Sequence, residues 1–241
     1  MPQKSLIKIK EFDAHGGPTQ KIMGADGHSQ DPTRAGRYVI GVIEKHVSGG
    51  KYVLWSGIAW GSEMRKTGDV VSVKYRGVWT KLTDVNAEWA KYKKNQKAVV
   101  DMITRYYQDL QPGGGFPTRW IFNDFGHISV KYYKDLNHDR RMNGKERIMG
   151  DFIHTTPYDE VSTTRKIPFQ LGESHGCIHV RPLEIDEMIN NGYLKKGNTI
   201  EVHDYTERHV RSLIKRDNQN VRYEVHFYPG VYKIAVYEPL R

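Results

Sequence analysis

Short segments rich in β-branched and aromatic residues, separated by turn residues, run through most of this chain and constrain its fold class. They lie at 37–47, 52–60, 70–75, 120–123, 127–133, 151–154, 199–203, 221–228 and 231–237. Ser48-Gly49-Gly50 predicts a hairpin between the first two segments, and Pro229-Gly230 predicts a turn between the last two. The pattern predicts a mainly β fold.

One stretch departs from this pattern, because its apolar residues recur at helical spacing between 87 and 110. Asn86 is a suitable N-cap, and Pro112 with the glycines after it ends the segment. We therefore expect one long helix over about 87–110, whose apolar stripe packs in a core or under a lid. A shorter helix is expected at 183–191, stopped near Gly192.

Length and composition suit a folded globular protein. The chain has 241 residues, of which 38% are hydrophobic and 27% charged. No apolar run is long enough to cross a bilayer, and the N-terminus lacks the apolar region of a secretory signal peptide. Export would then need a specialised secretion system or a signal missing from this sequence. The net charge of +9 is spread over every region without a Lys/Arg-rich block, so no nucleic-acid partner is expected.

The single cysteine, Cys177, stands in an unusual setting. His175 and His179 lie two residues away on either side, and Gly176 permits a close backbone approach. A cysteine nucleophile reacts as the thiolate and needs a base or a positive neighbour. On a strand, residues 175, 177 and 179 would share one face. The setting favours a nucleophile over the alternative, a small buried apolar residue.

Three segments resemble the L,D-transpeptidase (YkuD-type) catalytic domain family. Ser174-His175-Gly176-Cys177 followed by an apolar residue resembles the family's nucleophile signature. Phe152-Ile153-His154 resembles the strand end that carries the upstream histidine, at a spacing slightly longer than usual, and 31–38 resembles the Thr-Pro-x-Gly-x-Tyr segment near the domain start. Residues 185–202 resemble the closing helix and final strand. The resemblance covers about 5–204, without a counterpart for about 60–120.

The resemblance implies an L,D-transpeptidase-type β-sandwich, here with an inserted long helix and a short helix after the catalytic motif. We expect a single catalytic domain over 1–241, with an insertion at about 61–118 and a C-terminal β extension at about 205–241. The insertion is expected to cover or border the active site and to restrict which acceptor enters, since plain connections are short.

The resemblance also implies a reaction. Cys177 would attack the bond between a diamino acid and D-alanine in a peptidoglycan stem tetrapeptide and form a thioester. His154 would act as general base and then general acid, oriented by the backbone carbonyl of Thr155. An amine on a second stem would resolve the thioester into a cross-link, whereas water would make the enzyme an L,D-carboxypeptidase. No cofactor and no metal is implied.

The remaining site residues follow in the same way. His175 would shape the site with Ser174 and is counted with Cys177 and His154 among the catalytic residues, and the N–H groups of Gly176 and Cys177 are the expected oxyanion donors. The family often has Arg two residues after the cysteine, where this chain has His179. Arg181 lies two residues further on, so His179 and Arg181 are both assigned to substrate binding.

Several alternatives stay open. The same chemistry would serve a secreted antibacterial effector that attacks a rival's wall, with an immunity protein as partner. A Cys-His amidase or protease is a different enzyme class, and a wall-binding module with a dead site is a non-enzymatic one. In each version that acts on peptidoglycan, the place of action is the periplasm or the cell wall.

A separate polar segment, 135–146, has oxygen donors at positions 1, 3, 5, 9 and 12 of a calcium-loop template. Position 6, where the template has Gly, is Arg140, and Arg141 adds positive charge that disfavours a divalent cation. A polar turn rich in Asp and Asn explains the same residues. This segment is therefore not assigned as a metal site.

Overall fold

The computed structural model describes residues 3–24, 27–45, 57–217 and 222–240, and this part of the chain is mainly β with a few short helices. The strands are β1 (Gln3–His15), β2 (Ile22–Met23), β3 (Ser29–Gln30), β4 (Gly36–Glu44), β5 (Met64–Thr67), β6 (Val70–Tyr75), β7 (Val78–Lys81), β8 (Ser129–Tyr133), β9 (Ile148–His154), β10 (Ile178–Val180), β11 (Thr199–Val202), β12 (Leu213–Asp217), β13 (Glu224–Tyr228) and β14 (Lys233–Pro239). The helices are α1 (Ala87–Ala90), α2 (Gln96–Leu110), α3 (Pro157–Thr164) and α4 (Pro182–Asn190). The predicted mainly β fold is confirmed.

The chain divides into two compact units. Unit 1 contains residues 1–44, 129–154 and 169–241, and unit 2 contains residues 45–128 and 155–168. The expected insertion at about 61–118 falls within unit 2, and the expected extension at about 205–241 falls within unit 1. The expectation that the insertion borders Cys177 stays a prediction.

Unit 1 is built on one sheet of nine described strands, in the order β10-β9-β8-β4-β11-β13-β14-β1-β12. The short strand β10 also pairs with the end of β1, so the sheet closes on itself. Two neighbouring pairs are parallel, β9 with β10 and β11 with β13. Closure brings residues 14–15 beside residues 179–180, although more than 160 positions separate them in the sequence.

The helix after the cysteine motif is confirmed within a residue or two. Its first residue is Pro182, whose fixed φ suits the first helical position and whose missing N–H has no partner to lose there. It ends at Asn190, and Gly192 follows with φ +73°, a conformation that favours glycine. Most of the predicted strand 52–60, together with the hairpin turn before it, lies outside the described residues.

Unit 2 combines a three-stranded meander, β5-β6-β7, with the helices α1, α2 and α3. The predicted helix over 87–110 is wrong as one element, because it breaks between Ala90 and Gln96. Asn86 caps α1 as expected, and the Asn95 side chain accepts the N–H of Ala98 and starts a second helix.

The apolar stripe of these helices packs in the core of unit 2, as predicted. Trp89, Val99 and Ile103 are fully buried there beside Trp120. The predicted strand 120–123 is wrong, since these residues form no strand, and the isolated bridge nearby joins Arg119 to Glu63. Helix α3 was not predicted, although the Thr156 side chain accepts the N–H of Asp159 in an ordinary N-cap.

Among the described helices, none is both long and apolar enough to traverse a bilayer.

Candidate active site

Cys177 lies at the end of a tight loop, residues 174–177, immediately before β10. Gly176 in this loop has φ +124°, which L side chains rarely adopt. A Cβ on Gly176 would lie 3.4 Å from Asp151 Oδ1 and 3.5 Å from the carbonyl oxygen of Asp31. The motif therefore needs glycine before the cysteine mainly because of the backbone conformation. We call residues 174–177 the Cys177 loop.

Ser174 holds the Cys177 loop from within. Its N–H donates to the carbonyl of Gly16 at 3.0 Å, and its buried hydroxyl donates to the carbonyl of Cys177. The same hydroxyl oxygen accepts the N–H of Gly176 at 3.0 Å. Ser174 thus holds the backbone of the loop in place, and its role in an active site stays a prediction. The N–H of Gly176 is already engaged, so donation to an oxyanion would require this hydrogen bond to open.

A second brace comes from the 31–38 segment. Thr33 Oγ1 accepts the N–H of Gly17 at 3.0 Å and reaches the carbonyl of Cys177 at 3.5 Å. The N–H of Thr33 donates to the Tyr205 hydroxyl at 3.1 Å, and that hydroxyl donates to the carbonyl of Gly17 at 2.7 Å. Tyr205, which lies in the expected extension, is therefore part of the framework of the Cys177 loop. Sequence reasoning did not find it, since only the fold brings it here.

The thiol itself contacts backbone atoms of β9. Cys177 Sγ accepts the N–H of Phe152 at 3.4 Å and lies 4.0 Å from the carbonyl oxygen of Gly150. Burial raises the pKa of Cys177 to about 12, opposed by the Phe152 N–H and supported by the nearby charge of Asp151. The resting side chain is then a neutral thiol, and any reaction as nucleophile requires a base to remove its proton.

Three histidines lie side by side on neighbouring strands, and one of them, His179, follows Cys177 by two residues. His179 on β10 is in register with His154 on β9 and with His15 on β1. Paired residues of neighbouring strands point to the same side of a sheet, so the three side chains form a row. The rings of His154 and His179 are 4.8 Å apart at 78°. We call His154, His179 and His15 the histidine row. His15 carries no local signal in the sequence.

The two ring nitrogens of His179 have different environments. Nδ1 is 2.8 Å from the carbonyl oxygen of Gly172, so Nδ1 carries the hydrogen and donates it. Burial lowers the pKa of His179 to about 4. His179 is therefore neutral near pH 7, with its lone pair on Nε2. This is the carbonyl-oriented imidazole that the resemblance implied for His154. His154 is buried at the end of β9.

His175 does not join this row. β10 begins at Ile178, so both His175 and Cys177 precede it, and residues 175, 177 and 179 do not lie on one strand as that expectation required. The exposed side chain of His175 lines a cavity of about 870 Å³. Arg34 and Asp151 line the same cavity and form a bidentate ion pair, with N···O distances of 2.8 and 3.0 Å. Neither was identified from the sequence.

The other two assigned residues are engaged elsewhere. Thr155 is buried in unit 2, where its hydroxyl donates to the carboxylate of Glu160. Arg181 donates to the carbonyl of Phe169 at 3.1 Å and lies 3.7 Å from the carboxylate of Asp13. Arg181 also lines a cavity of about 410 Å³ that contains His15 of the histidine row. That position is compatible with substrate binding, which stays a prediction.

Within 135–146, the oxygens are largely occupied by N–H groups of the same segment. Glu146 accepts the N–H groups of Leu136 and Asn143 at 2.7 and 2.9 Å, and Asp135 accepts that of Arg140 at 3.0 Å. The Arg140 side chain leaves the segment to bind the Thr199 hydroxyl. Asp135, Asp139 and Glu146 do lie close together, but a self-bonded polar turn accounts for their contacts.

Comparison with known proteins adds no identification to this geometry. No family model, no curated protein and no solved structure matches the chain.

Proposed function

We propose that this protein is a cysteine enzyme of the L,D-transpeptidase type that acts on peptidoglycan stem tetrapeptides. The observation that carries the proposal is the position of Cys177 in the Ser-His-Gly-Cys loop, with His154 and His179 in register on the two strands beside it. Assignment of the nine-stranded sheet to the β-sandwich of that family is part of the same proposal. The place of action is the periplasm or the cell wall.

In the proposed reaction, a histidine of the row removes the thiol proton while Sγ attacks the carbonyl between the diamino acid and D-alanine. The tetrahedral intermediate then expels the amine of D-alanine, which takes the proton back from the imidazolium. This leaves a thioester on Cys177. An amine of a second stem, or water, attacks the thioester, and the proton it loses returns to the thiolate.

The protonation states support this order of events. A thiol with a pKa of about 12 does not store a thiolate, so its proton must leave during the attack. Burial lowers the pKa of His179 to about 4, which keeps that ring neutral but makes it a weak base, so it suits orientation and substrate contact rather than proton removal. We assign the base to His154, by resemblance, with His179 as the neighbour that orients it and contacts substrate.

Incubation of the purified protein with a tetrapeptide stem, read by mass spectrometry, tests the proposal. Loss of D-alanine, formation of a cross-link, or exchange of the terminal D-amino acid would each support it and separate its versions. Cys177→Ala is the control and should lose at least about a thousandfold in rate while remaining folded. Equal activity of wild type and Cys177→Ala would refute the proposal. Cleavage at another amide bond would favour the amidase or protease alternative.

A further inference from the structure

A second group of histidines lies on the same sheet, away from the thiol chemistry. His226 on β13 is in register with Glu201 on β11, and His203 follows the end of β11. Both side chains are buried, with 6% of His203 and none of His226 exposed. His203 Nε2 and His226 Nδ1 face each other at 2.8 Å. We call these two residues the histidine pair.

Each ring of the pair is held at its outer nitrogen by a carboxylate. His203 Nδ1 is 2.9 Å from Glu207 Oε1, and His226 Nε2 is 3.1 Å from Glu224 Oε2. Burial favours the neutral acid, but hydrogen bonds from His226 and Arg37 hold the pKa of Glu224 at about 2. Hydrogen bonds and charges from His203 and Arg211 likewise lower the pKa of Glu207, against its burial. Ionised carboxylates only accept, so both outer nitrogens must carry hydrogen.

If both rings are neutral, the contact between their two inner nitrogens, His203 Nε2 and His226 Nδ1, has no hydrogen in it. A neutral imidazole has one N–H, and in each ring the outer nitrogen uses it. Both inner nitrogens would then present lone pairs to each other at 2.8 Å, which is a hydrogen-bond distance. An additional proton on one of them turns this repulsive contact into a hydrogen bond. Burial lowers the pKa of His226, and the hydrogen bond of this ring to Glu224 acts in the opposite direction.

A metal ion would be the other way to fill this contact, since Glu201 lies within reach of both rings. Two nitrogens bound to tetrahedral zinc at 2.0–2.1 Å lie about 3.3 Å apart, clearly more than the observed separation. Glu201 Oε2 also already pairs with Arg37 at 3.0 Å and with Arg216. Two guanidinium groups on the third candidate ligand disfavour a divalent cation, so the geometry favours the proton.

The charged and titratable groups that face the pair come from every element around it. They are Arg37 on β4, Glu201 on β11, Glu207 and Arg211 after β11, Arg216 on β12, Glu224 and Tyr228 on β13, and Tyr237 on β14. Tyr228 stacks on His203 at 3.9 Å, and Tyr237 meets His226 edge-on at 4.6 Å. Three glutamates and three arginines balance each other. The rings shield the shared position from water.

The pair is connected to the Cys177 loop through the turn 203–208. His203 and Glu207 close this turn by their hydrogen bond, and Tyr205 lies between them. The Tyr205 hydroxyl holds Thr33 and Gly17, the residues that brace the loop. We propose that His203 and His226 share one proton in the folded protein, and that this charged pair positions the 203–208 turn against the Cys177 loop. The proposal does not depend on the wall chemistry.

The number of protons bound in the folded and unfolded states determines how folding stability changes with pH. Each unfolded histidine has a pKa of about 6.5, so the unfolded pair binds nearly two protons at pH 5 and almost none at pH 8. In the proposed state, the folded pair binds one proton over this whole pH range. Stability therefore rises with pH below about 6.5, where the unfolded chain holds more protons, and falls above it, where the folded chain holds more.

Denaturant unfolding from pH 5 to 8.5 tests this on the wild type, His203→Gln/His226→Gln, and the exposed control His209→Gln. We expect the ratio of unfolding constants, wild type over double variant, to be lowest near pH 6.5. The slope of this ratio should reach about sevenfold per pH unit at one unit above or below the minimum. The control should track the wild type. A ratio that is flat above pH 7 means an uncharged pair and overturns the proposal, as would one equivalent of zinc retained by the purified protein.

Two further measurements keep the proposal testable if the double variant does not fold. Imidazole ¹⁵N spectra of the wild type should show one doubly protonated ring paired with one singly protonated ring, and two neutral rings at pH 7 would overturn the proposal. For the positioning role, His203→Gln and Tyr205→Phe should each raise the rate of Cys177 alkylation at least about threefold relative to His209→Gln. Rates equal to the control would show that the pair does not position the loop.

Discussion

The histidine row and the histidine pair at His203 and His226 belong to the same sheet, but their imidazole rings have different hydrogen-bond partners. In the row, His179 Nδ1 donates to the neutral carbonyl of Gly172. In the pair, both outer nitrogens donate to carboxylates. A carbonyl fixes the tautomer without adding charge, whereas a carboxylate also stabilises the imidazolium.

This difference in partner decides what each group can do. The row keeps a neutral imidazole with a lone pair, next to a thiol that still has its proton. In the pair, every ring nitrogen is already engaged in a hydrogen bond, so the rings have no capacity left for chemistry. The comparison indicates that the acceptor at the second nitrogen, a carbonyl or a carboxylate, helps to set the charge that each histidine favours.

Replacement of a single histidine of the row should have the largest effect on activity. His154→Ala is expected to lower kcat/KM on the tetrapeptide by about 10²–10⁴ because it removes the proposed general base, with little change in Tm. His179→Ala should cost less and act mainly through KM. Steady-state kinetics, with His209→Ala as control, measure both. The opposite ranking would show that His179 is the base.

The protonation state of the Cys177 thiol at rest should give the next largest effect. With its pKa raised to about 12, Cys177 should be alkylated by iodoacetamide at pH 8.5 at least about a hundredfold more slowly in the folded protein than after denaturation, since a free thiol titrates near 8.5. Fast alkylation at pH 7 would mean a stored thiolate–imidazolium pair. The row would then be charged like the histidine pair, and the comparison would break.

Replacement of the loop glycine should have a smaller effect. Gly176→Ala is expected to lower activity by about tenfold and Tm by a few degrees, because a side chain at φ +124° strains the backbone that presents the thiol. Gly172→Ala is the matched control: its Cβ would meet open space, and its carbonyl still orients His179. Equal effects of the two variants would show that the loop conformation is not what matters.

The smallest effect is electrostatic. Asp151→Asn removes a negative charge that helps to raise the pKa of Cys177 and leaves Arg34 unpaired nearby. Alkylation of Cys177 at pH 8.5 should therefore become about two- to fivefold faster. Asp31→Asn, in the same cavity but without this influence, should leave the rate unchanged. A slower reaction in Asp151→Asn would contradict the sign of the interaction.

Local patterns in the sequence determined much of the secondary structure. They predicted the mainly β class, the helix after the motif, the N-cap at Asn86 and the buried face of the 87–110 stretch. Each of these depends on residues a few positions apart. The start of α2 at Gln96 and the whole of helix α3 were not predicted. Each has an N-cap residue in the sequence, Asn95 and Thr156, but an N-cap residue alone does not specify a helix.

The candidate site divides in the same way. The sequence by itself singled out Cys177, and by resemblance His154, because both lie in short recognisable motifs. Only the tertiary structure placed His15 beside His179, Tyr205 beneath the Cys177 loop, and His203 against His226. Strand register and sheet closure join positions far apart in the chain, and no local pattern specifies which side chains then meet. The protonation of each histidine depends on those long-range partners and on burial, so it was decided by the fold.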